Sequence, residues 1–163
     1  MNRITALALA AAALASPAAA EKLALPPAPG FVAGYHASQG NLTVDEYIPR
    51  GESVQRWTRM ITVQRIAGFG RVPPPQFVAE IAKRYVAGCK GATGMAVPFG
   101  TAAAGARLDC PRNPMTGAPE TVFIRAIPGG GDMLSVQIAF KGIPMPRETQ
   151  WARDYLGRVR LVR

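Results

Sequence analysis

Thr121-Val-Phe-Ile-Arg-Ala-Ile127, Pro128-Gly-Gly-Gly-Asp132 and Met133-Leu-Ser-Val-Gln-Ile-Ala-Phe140 follow one another in the chain. The first and third segments are rich in β-branched and aromatic residues, which fit a pleated backbone. The short link with three consecutive glycines suits a hairpin connection. In the third segment Leu134, Val136, Ile138 and Phe140 alternate with Ser135, Gln137 and Ala139. A period of two turns the first set inward and the second outward. An antiparallel hairpin is therefore the clearest element of the fold.

Outward from it, further strands come into view. Asn41 to Ile48 alternates, with Leu42, Val44, Glu46 and Ile48 on one side and Thr43, Asp45 and Tyr47 on the other. Ile48-Pro49-Arg50-Gly51 then reads as a turn, with Pro second and Gly fourth. Phe31 to Tyr35 suits a short first strand, and Gly105 to Cys110 another. Arg56 to Ile66 is rich in Thr, Ile and Val and reads as a strand with two mixed faces. Trp57, Arg59, Ile61, Val63 and Arg65 share one face, so composition does not decide which side is buried.

Two segments have helical spacing. From about Gln76, the residues Phe77, Val78, Ile81 and Tyr85 form an apolar stripe, with Lys83 and Arg84 on the polar side. Prolines before it and Gly88 after it are the expected punctuation. A second helix is predicted from about Arg147 to Leu161, with Trp151, Tyr155, Leu156 and Val159 as its stripe. The order of strands and helices predicts a single α+β domain over residues 31–163. It has a mainly antiparallel sheet of about five strands, with both amphipathic helices packed on one face. Residues 21–30, with Pro26, Pro27 and Pro29, read as an extended lead-in.

Residues 1–20 read as a cleavable export signal. Met1-Asn2-Arg3 is a short basic start, Ile4 to Ala15 is apolar, and Ala18 and Ala20 are the small residues before a cut at Glu21. The apolar run falls short of the roughly 20 residues a membrane span needs. No transmembrane span is expected in the mature chain. The pattern predicts a bacterial periplasmic or extracellular protein. Hydrophobic residues make up 48% of the 163-residue chain and charged ones 18%, which excludes a disordered polymer and favours a packed core.

Export implies an oxidising compartment, where two cysteines are most simply one disulfide. Cys89 and Cys110 would close a loop worth about 3 kcal/mol by chain entropy. The enclosed stretch, Lys90 to Asp109, is rich in Gly and Ala and has little side-chain mass with which to fix itself. No close Cys-x-x-Cys pair exists for redox chemistry. A zinc site would need more ligands than two Cys and one His. No metal, haem or phosphate-loop pattern is present, and no cofactor is expected.

Catalytic constellations are also missing. His36, the single His, lies in Gly34-Tyr35-His36-Ala37-Ser38 and reads as a solvated loop residue. Asp45 and Glu46 are strand neighbours that point to opposite faces and cannot act together. What remains is positive charge, a formal +9 made mostly of Arg. Arg forks carboxylate and phosphate. In the envelope these anions are peptidoglycan carboxylates, lipid headgroups and lipopolysaccharide phosphates. Location argues against nucleic acid. Trp57, Arg59 and Arg65, on one face of their strand, are the candidate binding residues.

The stretch Glu46-Tyr-Ile-Pro-Arg-Gly-Glu-Ser-Val-Gln-Arg-Trp57-Thr-Arg-Met60 leads on to a helix ending in Cys89 and to Cys110-Pro-Arg-Asn-Pro-Met-Thr-Gly117. In this it resembles small secreted bacterial proteins of unknown function. The resemblance implies export, the disulfide and an α+β fold, and it carries no catalytic residues.

The sequence thus predicts a non-enzymatic secreted protein that binds an anionic envelope component or a periplasmic protein. Two alternatives stand beside it. One is a small hydrolase using His36 with nearby carboxylates, which His36→Ala would disable. The other is an assembly or effector-neutralising partner protein, which would capture one protein stoichiometrically.

Overall fold

A computed structural model describes residues 21–99 and 103–162. The expected export signal, residues 1–20, lies outside them. The elements are β1 (Lys22–Ala24), β2 (Phe31–Gln39), β3 (Leu42–Pro49), β4 (Arg59–Ile66), α1 (Pro74–Gly88), β5 (Thr93–Pro98), β6 (Ala104–Cys110), β7 (Glu120–Gly129), β8 (Asp132–Lys141), α2 (Pro146–Arg158) and β9 (Arg160–Val162).

The hairpin read from sequence is β7–β8, and it lies in the middle of the main sheet. That sheet runs β2-β3-β4-β8-β7-β6-β5, antiparallel throughout. It has seven strands rather than about five. One extra strand is β5, whose Gly, Ala and Pro content gives a weak strand signal. A separate pair, β1 with β9, joins the two ends of the described chain. Gly130, at φ +57°, occupies the left-handed region that the tight β7–β8 turn requires.

The helices lie on opposite faces of this sheet, which corrects the expected one-sided arrangement. On β7, Phe123 and Ile127 join Ala152, Tyr155, Leu156 and Val159 under α2. Val122, Ile124 and Ala126 join Val78 under α1, with Phe77 and Ile81 packed alongside. β7 is therefore buried on both sides, and a strand covered twice reads as a continuous apolar run. Each of Phe123 and Ile124, at 1% exposure, contributes about 2–3 kcal/mol by burial. Ser135, expected to point outward, is fully buried because α1's side is also covered.

Three boundaries differ from expectation. β2 continues past Tyr35 to Gln39, through a register shift at Gly34, where a Cβ would meet Ile48 at 2.9 Å. His36 is thus a strand residue and not a loop residue. β4 begins at Arg59, leaving Trp57 outside it. α2 stops at Arg158, and Arg160–Val162 turns away as β9.

Arg125, 9% exposed, sits on β7 beneath α2. Its Nη1 donates to the carbonyls of Leu156 and Val159. These carbonyls lie at the end of α2, where that of Leu156 also accepts from the Val159 N–H and that of Val159 from Arg160 Nη1, and a cation there suits the helix dipole. Among the described residues, no helix is long and apolar enough to cross a membrane.

Candidate functional site

α1 has two apolar flanks. Phe77, Val78, Ile81 and Tyr85 pack on the sheet. Pro75, Ala79, Ala82 and Val86, spaced by three or four residues, form an adjoining line along the helix. That line faces the β5–β6 hairpin, which presents Gly94, Ala96 and Pro98 from one strand and Ala104, Ala106 and Leu108 from the other. With so many small side chains, the two walls do not meet. They leave an open groove of about 720 Å³. Its size lies within the usual range for small-molecule sites, which are concave and mainly apolar.

Among the described residues the lining is apolar but for Lys83, the only charged side chain along it. Val86 and Met95 are exposed beside the groove, Met95 at 61%. Uncovered apolar surface gathered at a concave site is a binding feature more often than scattered exposed hydrophobes are.

The disulfide Cys89–Cys110 fixes one end of this arrangement. It joins the residue after α1 to the last residue of β6, with Cα atoms 6.0 Å apart. Nearby, Glu120 is buried. Its Oε1 accepts from Tyr85 Oη at 3.3 Å and its Oε2 from Asn113 Nδ2 at 2.8 Å. Burial raises the Glu120 carboxyl above the ordinary carboxyl range, against the lowering effect of these hydrogen bonds. Burial, then the Glu120 charge, raises the Tyr85 phenol.

Trp57, Arg59 and Arg65 do not converge. Lys141 Nζ lies 5.7 Å from the centre of the Trp57 ring. The Arg59 guanidinium lies 5.8 Å from the centre of Phe31. Arg65 Nε donates to Asp132 at 2.5 Å. Asp132 also accepts from the Gly68 N–H at 3.1 Å, and these contacts hold its carboxyl below the ordinary range. Arg59 and Arg65 share a face, but six residues of strand separate them by about 20 Å.

His36 Nδ1 lies 2.7 Å from Asp45 Oδ1, its cross-strand partner. Ser38 Oγ lies 3.3 Å from Thr43 Oγ1. These pairs sit on an exposed strand surface and line no part of the groove. Asp45 and Glu46 point to opposite faces, and burial raises the Glu46 carboxyl. Among the described residues, no group of three His, Cys, Asp or Glu is placed to hold a metal ion.

The two motifs of the sequence resemblance are structural here. Glu52 accepts from the Thr58 N–H and hydroxyl, each at 2.6 Å, closing the loop into β4. Asn113 accepts from the Met115 N–H at 2.8 Å and binds Glu120, shaping the turn before β7.

No protein-family model matches the chain, and no curated protein sequence matches it. Among solved structures it is similar to LpqN, a protein of Mycobacterium tuberculosis described as involved in cell envelope biogenesis. The TM-score is 0.53 at 13% identity, covering 88% of this chain and 84% of that one. At that identity the likeness shows the fold: an α+β protein with a mostly antiparallel sheet.

Proposed function

We propose that this is a non-enzymatic envelope protein that binds an anionic amphiphile. The apolar chain lies in the groove between α1 and β5–β6, and the acidic head meets Lys83. One observation carries this reading: an open groove of about 720 Å³ whose single charged lining residue, among the described ones, is a cation. The chain's +9 formal charge favours approach of an anionic ligand. Export to the periplasm or cell exterior, expected from residues 1–20, would bring the protein to such molecules. The disulfide suits the same compartment. The similar fold of a protein described as involved in cell envelope biogenesis is compatible with this role.

The test is titration of the mature oxidised protein with a fluorescent long-chain fatty acid and with the matching neutral amide. Saturable binding of the acid, weakened by Lys83→Glu, is the expected result. Equal binding of acid and amide, unaffected by Lys83→Glu, would remove the anionic head from the proposal. Binding of neither would remove the amphiphile altogether.

A further inference from the structure

A second cavity, of about 380 Å³, lies on the other face of the sheet, where the first turns of α2 meet β4 and the start of β2. Arg59 reaches it from β4, and Arg147 and Glu148 from α2. Phe31 and Trp151 form its aromatic wall, with near-parallel rings whose centroids are 5.8 Å apart.

The two guanidiniums are the telling groups. Arg59 is half-buried, yet neither it nor Arg147 has a hydrogen-bond or ion-pair partner among the described residues. Among the described residues Arg65, Arg84 and Arg107 pair with carboxylates, and several exposed arginines such as Arg50 and Arg71 do not; Arg59 and Arg147 are set apart because they line one cavity beside an aromatic wall. The one acid lining the cavity is Glu148, and its Oε2 is engaged by the Met145 N–H at 2.9 Å. Two unpaired forks facing one partly committed carboxylate leave net positive charge in a confined space. Guanidinium geometry suits an oxyanion.

Glu148 sharpens the choice. Its Oε1 has no partner among the described residues, can accept a hydroxyl proton, and would repel a bare anion that brings no donor. From this geometry we infer that the cavity binds an oxyanion group, phosphate or carboxylate, carried by a hydroxyl-bearing molecule of the sugar type. The acid group is forked by Arg59 and Arg147, and a neighbouring hydroxyl donates to Glu148. This site is independent of the groove, because it lies on the opposite face and shares no lining residue with it.

The test uses Trp151 fluorescence in a Trp57→Phe background, where Trp151 is the sole indole. The probes are glucose 6-phosphate, glucuronate, glucose and inorganic phosphate. Saturable change with at least one of the two sugar acids is expected, with no change from glucose. The acid that binds identifies the source as phosphate-bearing or carboxylate-bearing. Inorganic phosphate should bind about tenfold more weakly than the bound sugar acid, or worse. Arg147→Gln, an exposed change that the fold tolerates, should weaken binding by about tenfold or more, and Arg59→Gln likewise. Fatty-acid binding in the groove should be unaltered by Arg147→Gln. Saturation by neither sugar acid, equal binding of glucose, inorganic phosphate binding as tightly as the sugar acids, or indifference to Arg147→Gln would each overturn the assignment.

Discussion

Cys89 and Cys110 join the end of α1 to the end of β6, so one covalent bond holds together the two walls of the apolar groove. Those walls are lined by alanines and glycines that give each other little to pack against. The bond therefore does two jobs, limiting the unfolded chain and setting the spacing of a binding surface.

The first prediction concerns that bond. Replacing both cysteines by Ser should lower stability by about 3 kcal/mol on the loop-entropy account. Urea unfolding of the oxidised wild type against the double variant measures this. Under conditions where both remain folded, the variant should also bind fatty acid more weakly. Unchanged affinity would show that the groove keeps its shape without the clip.

Arg125 supplies the second. Its Nη1 satisfies two carbonyls at the end of α2 from beneath the helix. Arg125→Met keeps much of the apolar stem but removes the buried charged donor, leaving the Leu156 carbonyl to the Val159 N–H and the Val159 carbonyl to Arg160. The expected cost is about 1–3 kcal/mol, read as a shifted denaturation midpoint. A midpoint equal to wild type would mean that water replaces the guanidinium at no cost.

The third is a pH dependence with opposite contributions from two acids. The folded-state pKa of Glu120 is raised above its ordinary 4.5, so the native protein holds that proton to higher pH than the unfolded chain does. Its contribution to stability is greatest at and below about 4.5, and falls as pH rises through the folded value. Asp132 is lowered from 3.8, so its contribution is present above that value and is lost as pH falls through the folded one. Glu120→Gln should flatten the decline above pH 4.5, and Asp132→Asn should flatten the acid limb. Unfolding midpoints of the three proteins across mildly acidic pH decide this.

The β7–β8 hairpin was legible because its alternation and its glycine turn agree. The two-sided burial was legible only in part. Thr121 to Ile127 has almost no polar face, the mark of a strand covered twice, but a short apolar run alone does not say what covers it. The helical spacing of Trp151, Tyr155 and Leu156 continues through Val159, so the pattern predicts a longer α2 than the structure has. Val159 is fully buried, yet it caps the helix in extended geometry. The groove was hidden for a different reason. It is made by side chains that are missing, and a Gly- and Ala-rich stretch signals weak packing without signalling a concave surface. Strand alternation groups Arg59 with Trp57 and Arg65, whereas its neighbours in space are Phe31, Arg147 and Trp151. Only tertiary folding brings these together.

If the groove holds an apolar chain, filling the groove must exclude that chain. Ala79 and Ala96 are exposed and line opposite walls, so Ala79→Phe and Ala96→Phe add bulk without disturbing buried packing. Fluorescent fatty-acid titration of these variants should show affinity reduced by about tenfold or more, corresponding to about 1.4 kcal/mol or more, with unfolding midpoints near wild type. Full wild-type affinity in both folded variants would place the ligand elsewhere on the protein.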